Sequence, residues 1–341
     1  MKRIVASLLA LLMIVTMTPV VMAANLDFSG KVATEAAYGE SFGGNSEIEL
    51  SAKIGEDLKA GLSFGSKEKG FPWDNWDLNV TALWMETTGA IIPGTPEFTT
   101  RIGSLNHSYS DFVAKGIKTT GISMDKLAVG PVTLGGYYSL DHDSNLDRGA
   151  YVKVNPMNGI EAQATVVKAD EQLAYALSTT VQPLTGAEVS GAYAAVHEGA
   201  DAYRVNAKYQ VLEGLEVRAG YQDIPTAFDA THRNTDADDD NNVNPGTGFT
   251  VGATANKFGF EVAADYVEYE DTLDYSIART VSLAGLDFNT ELAGNYDFTA
   301  AEAEKLEASV GYSAPNGLEL TAGYDFIENQ PKITAGLELQ F

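Results

Sequence analysis

Lys332-Ile333-Thr334-Ala335-Gly336-Leu337-Glu338-Leu339-Gln340-Phe341, the last ten residues, alternate in a period of two. Ile333, Ala335, Leu337, Leu339 and Phe341 fall on one side, and Lys332, Thr334, Gly336, Glu338 and Gln340 on the other. That period specifies a β-strand with one wet face and one apolar face. What remains to be decided is whether the apolar face meets a protein core or lipid.

The pattern recurs upstream. Leu215-Glu216-Val217-Arg218-Ala219-Gly220-Tyr221, Leu306-Glu307-Ala308-Ser309-Val310-Gly311-Tyr312 and Leu318-Glu319-Leu320-Thr321-Ala322-Gly323-Tyr324 share one motif. Apolar residues take its odd positions, and Tyr closes it where an amphipathic ring suits a headgroup layer. Tyr203, Val205, Ala207, Tyr209 and Val211 likewise oppose Arg204, Asn206, Lys208 and Gln210. About twenty such segments follow one another, starting near residues 26, 46, 58, 76, 97, 116, 131, 149, 159, 172, 187, 202, 215, 248, 260, 273, 286, 305, 318 and 332. A soluble sandwich also alternates, but its inner faces need large side chains to fill the gap between sheets. Here the apolar face is modest and the polar face heavily charged, which suits lipid outside and water inside.

Two classes of connection alternate between the segments. Gly55-Glu56-Asp57, Leu184-Thr185-Gly186, Leu212-Glu213-Gly214 and Ala314-Pro315-Asn316-Gly317 are tight, with the residues that hairpins need. The stretches 39–46, 66–76, 106–115, 141–148, 223–247 and 297–304 are longer and more polar. Long loops at one end and short turns at the other mark an up-and-down membrane barrel. The segments near 97–124 and 273–283 are ragged, so sixteen or eighteen strands are the alternatives to twenty. Arg279 falls on the apolar face in the simplest register, unless a bulge turns it inward.

At the other end, Lys2 and Arg3 precede an uncharged run, Ile4–Met17, and Val21-Met22-Ala23 offers small residues for a signal peptidase. The expectation is a signal peptide over 1–23 and a barrel domain over 24–341. The run is shorter than the ~20 residues a helix needs to span. There is no cysteine, hence no disulfide framework. The chain has 47 acidic and 22 basic residues, a formal charge of −25. That excludes a nucleic-acid partner, whose phosphates need Lys and Arg. It fits either a halophile's surface or a lumen that attracts cations.

Charge-bearing positions on the wet face are the candidate site. They comprise Lys53, Arg101, Lys153, Arg204, Lys208, Arg218, Glu216, Glu261, Asp265, Glu291 and Glu319. Bases are commoner in the first half, with Lys31 and Lys59 added. Acids dominate later, where Asp287, Glu307, Asp325 and Glu338 join them. Opposed charge across water would set a transverse field that orients solutes. Asp236, Asp238 and Asp240 have the alternation of a calcium loop, although no Gly follows at the sharp turn and no bidentate Glu closes it. The four histidines, His107, His142, His197 and His232, fall in loop segments and read as solvated, so no enzyme is expected. Phe71, Trp73, Trp76 and Trp84 read as an outer interfacial girdle.

The export signal, the repeated amphipathic hairpins and the terminal Phe341 together resemble the porins of Gram-negative outer membranes. The resemblance implies passive diffusion of ions and small hydrophilic solutes, outer-membrane lipid as partner, and often a homotrimer. It also implies that the terminal strand is read by the barrel assembly machinery. That family folds one long early loop into its lumen. Here the early loops are moderate and 223–247 is longest, which leaves the constriction unassigned. A structural or adhesive surface barrel without conductance is the competing reading, and short loops count against it.

Overall fold

A computed structural model describes residues 26–38, 42–54, 57–66, 78–90, 95–140, 146–169, 172–228, 245–283 and 285–340. Twenty strands follow in chain order. The first ten are β1 (Leu26–Tyr38), β2 (Phe42–Ile54), β3 (Leu58–Ser66), β4 (Leu78–Gly89), β5 (Phe98–His107), β6 (Ile117–Val129), β7 (Val132–Ser139), β8 (Leu146–Met157), β9 (Ile160–Ala169) and β10 (Gln172–Leu184). The others are β11 (Ala187–Val196), β12 (Asp201–Leu212), β13 (Leu215–Ile224), β14 (Gly246–Lys257), β15 (Phe260–Val267), β16 (Thr272–Leu283), β17 (Leu286–Asp297), β18 (Glu302–Ser313), β19 (Leu318–Asp325) and β20 (Gln330–Gln340).

Each strand pairs antiparallel with its sequence neighbours, and β1 pairs with β20 from Lys31↔Gln340 to Tyr38↔Ile333. The sheet is therefore closed, and no edge is left for another chain to extend. The twenty expected segments are the twenty strands. The ragged stretches 97–124 and 273–283 contain β5, β6 and β16 as full members. The C-terminal stretch forms β20 as read, with Phe341 itself outside the described residues.

Residues paired across a ladder share a face. Tyr221 pairs with Val205 and with Phe249, and Ile277 with Val262 and Leu292. All six are exposed. A contiguous apolar face of this extent is not left to water by soluble proteins. The polar set lies on the opposite face, which a contact far around the ring identifies as the inner one. Phe112, between β5 and β6, lies under the Arg204 guanidinium of β12, 5.5 Å from it. A closed wall allows such a contact only through its interior.

Connections from odd to even strands are mostly the longer ones, with β1–β2 (39–41) and β9–β10 (170–171) short. Those from even to odd are mostly tight, as at Gly159, Gly186 and Gly214, which adopt φ of 77°, 80° and 79°. The eight-residue link 90–97 between β4 and β5 is the exception at that end.

Candidate permeation pathway

The inner wall is not uniformly wet. The largest cluster of buried apolar side chains lies inside the ring and is built around the β5–β6 connection. Residues 108–116 form a small hairpin, with Tyr109 N–H donating to the Ala114 carbonyl at 2.7 Å and Ala114 N–H donating to Ser110 at 3.1 Å. The hairpin folds inward. The Tyr109 carbonyl accepts hydrogen bonds from the Gln163 amide and the Thr165 hydroxyl of β9. The Tyr109 phenol donates to Asp125 at 2.9 Å and packs on the Tyr151 ring, 4.7 Å between centroids. Burial and the Asp125 carboxylate hold that phenol well above its usual range, so it remains a donor. Phe112 meets the edge of Phe228 at 6.0 Å.

The wall makes room for this hairpin with small side chains. Ala174 and Ala176 of β10, Ala194 of β11 and Ala202 of β12 are buried at inner-face positions. Elsewhere those positions hold charges. Among the described residues, 108–116 is therefore the connection that folds into the lumen. Only the first turn of the longest loop, Pro225–Phe228, joins it among the described residues.

Two expectations need correction. His107 is not a solvated loop residue. It ends β5 with 12% of its side chain exposed, stacks on Tyr109 at 5.3 Å and lies 3.8 Å from Asp125. Its Nε2 has no hydrogen-bond partner among the described residues. His197 is in the β11–β12 turn and exposed, while His142 and His232 lie outside the described residues. Trp84 does not belong to an outer girdle. Leu83 and Met85 point outward, and that alternation turns Trp84 into the lumen, where the Arg101 guanidinium stacks on it at 4.2 Å. Phe71, Trp73 and Trp76, and the calcium-like Asp236, Asp238 and Asp240, lie outside the described residues.

All the candidate charges fall on the inner face, and register decides what each one meets. Lys208 and Arg218 are direct cross-strand partners on β12 and β13. Arg204 donates to Gln222 at 3.2 Å. Arg218 forms a two-pronged pair with Asp265, 2.6 Å from Nε to Oδ1, across Gly252, and also donates to Thr254 at 2.9 Å. Glu216 is 3.9 Å from the same guanidinium. Lys208 is bound to Glu188 at 3.0 Å, Lys153 to Glu161 at 2.6 Å and Lys31 to Glu338 at 2.9 Å. Arg101 is 3.9 Å from Glu86. Lys332 pairs with Glu307 and Asp325.

The halves of the chain do not face each other as bare blocks of charge, because most bases are neutralised by an acid nearby. Lys53 and Lys59, direct partners at the short-turn end, make no ion pair among the described residues. The same holds for Glu261, Glu291 and Glu319, which line a recess of about 710 Å³ near the other arc of that mouth. A second recess of about 830 Å³ runs past Lys31, Glu49 and Lys59. The wall is thus packed on the β5–β13 arc and open on the β14–β3 arc.

Arg218→Gln is expected to shift selectivity toward cations, since it releases Asp265 and Glu216. The pair is about a third exposed, so unfolding should move by less than about 1 kcal/mol. Reversal potentials and melting curves of the variant check both statements.

Solved structures share this architecture. OccK3 (OpdO) of Pseudomonas aeruginosa is 13% identical with a TM-score of 0.51, over 93% of this chain and 96% of that one. OccK11 (OpdR) of P. aeruginosa is 10% identical with a TM-score of 0.51, over 94% and 96%. OprD of P. aeruginosa is 9% identical with a TM-score of 0.50, over 93% and 96%. No protein-family model matches the chain, and no curated protein does. The protein is a closed antiparallel barrel of twenty strands and shares the overall barrel fold of these solved structures, OprD among them.

Proposed function

We propose that the protein is an outer-membrane channel for passive diffusion of ions and small hydrophilic solutes, with a mild preference for cations. The apolar outer face meets lipid, the polar inner face encloses water, and solutes pass beside the inward hairpin. The observation that carries the cation preference is the asymmetry of pairing. The bases Lys31, Lys153, Lys208, Arg218 and Lys332 are each held by a carboxylate. Against them, Lys53 and Lys59 make no ion pair among the described residues and Arg204 is held by the Gln222 amide, but unpaired acids still outnumber unpaired bases in a chain with 47 acids and 22 bases. Glu261, Glu291 and Glu319 share one recess with no such partner among the described residues, and Asp111 is exposed on the hairpin. Uncompensated carboxylates in a confined aqueous path concentrate cations.

The test is single-channel recording in planar bilayers under a potassium chloride gradient. Wild type should show a reversal potential of cation-selective sign. Glu261→Gln, Glu291→Gln and Glu319→Gln combined should bring it toward zero. An anion-selective wild type would overturn the selectivity, and negligible conductance would overturn the channel.

A further inference from the structure

Lys257 and Arg279 occupy the outer face, where no residue of their kind is expected. The ladders that place them carry no bulge. Phe260↔Arg279 through Val267↔Thr272 is continuous, as is Thr272↔Asp297 through Leu283↔Leu286. Arg279 therefore shares its face with Ile277 and Val281, both exposed. Lys257 pairs with Phe260, and Phe260 with Arg279, so the three form a row across β14, β15 and β16. Neighbouring strands are about 4.8 Å apart, so two long basic side chains in this row can converge on one group.

Each cation already lies near an aromatic ring. The Arg279 guanidinium is 4.6 Å from the Phe260 centroid, and the Lys257 ammonium is 5.2 Å from that of Phe258. Phe258, at the β14–β15 turn, is 84% exposed. The row thus sits beside a hairpin tip at the short-turn end, with a ring projecting where barrels keep their aromatic girdles. No acid occupies an outward position on β14–β17, and neither base has an ion pair among the described residues. Cationic side chains on a lipid face are costly in the hydrocarbon and tolerated near the interface. An anion at that depth offsets the cost, and in a membrane the available one is a lipid phosphate. Other outward bases, Lys118, Arg148 and Lys168, lie at the long-loop end of β6, β8 and β9, so these two are the basic heads at the short-turn end of β14–β16.

We propose that Lys257 and Arg279 bind the phosphate of an anionic phospholipid in the leaflet at the short-turn end, with Phe258 and Phe260 flanking it. The proposal rests on the membrane-spanning reading above. The probe is phosphatidylglycerol, offered with equal phosphatidylcholine to the detergent-purified protein, and retained lipid is counted by native mass spectrometry. Wild type should retain phosphatidylglycerol preferentially. Lys257→Gln with Arg279→Gln should lower that retention about 30-fold, from about fivefold per basic head at an anionic lipid surface. Lys257→Arg with Arg279→Lys should restore it. Arg148→Gln, on the outer face near the long-loop end, should leave it unchanged. Retention unchanged in the double Gln variant, or equal loss with Arg148→Gln, would overturn the site. Conductance of the same samples separates the two readings: a conducting channel without lipid preference refutes only this site, whereas loss of both refutes the barrel's membrane role.

Discussion

Replacing Ser110–Lys115 with a Gly-Gly turn is expected to raise single-channel conductance several-fold while the barrel stays folded. The hairpin makes its regular backbone hydrogen bonds mostly with itself, so its removal costs no strand pairing. It does remove Phe112, Val113 and Ala114 from the lumen, all almost fully buried against the inner wall. The exposed alanines beneath are small, and water can cover them at modest cost. Asp125 would lose the Tyr109 phenol only if Tyr109 shifts, which separates aperture from latch. Unchanged conductance in the shortened variant would show that the hairpin does not narrow the path.

The second large effect is on assembly. Gly103→Val should prevent the barrel from reaching its folded state. Gly103 on β5 has φ +108°, a region that side chains avoid. A Cβ there would also meet the Leu83 carbonyl and lie 2.9 Å from the Trp84 Cα, both backbone atoms that no rotamer change can move. Opposite it in the register, Gly121 is similarly closed in, its Cβ position 3.1 Å from the Ser139 Cα. Left-handed strain and overpacking together cost about 3 kcal/mol or more. Gly191→Ala is the matched control, because its nearest contacts would be at 4.0 Å and its φ is ordinary. Heat-modifiable gel migration distinguishes folded barrel from unfolded chain. A fully folded Gly103→Val protein would refute the close-approach argument.

The fold was legible because a barrel wall is one residue thick. Every residue of β12 or β20 faces either outward or into the lumen, so the period of two is enforced at each position. The same thinness made Trp84 readable in principle, since Leu83 and Met85 fix its side, but an aromatic near a loop suggested the girdle instead. The inward hairpin was hidden for a different reason. Its anchors are distant in sequence, with Tyr109 held by Gln163, 54 residues on. Two local signs did point to it: an apolar Phe112-Val113-Ala114 in a polar loop, and alanines at 174, 176, 194 and 202 where other strands place charge. Which bases are neutralised could not be read either. Arg218 and Asp265 are two strands apart and meet only because Gly252 between them has no side chain.

One consequence follows from where the hairpin is seated. It leans on a single arc of the ring, so aperture and sieve are carried by different parts of the circumference. Changes along β5–β13 would alter how firmly the obstruction is propped, and changes along β14–β3 would alter the charge and width of the space beside it. A lineage can therefore retune its diet on one flank without loosening the gatepost on the other.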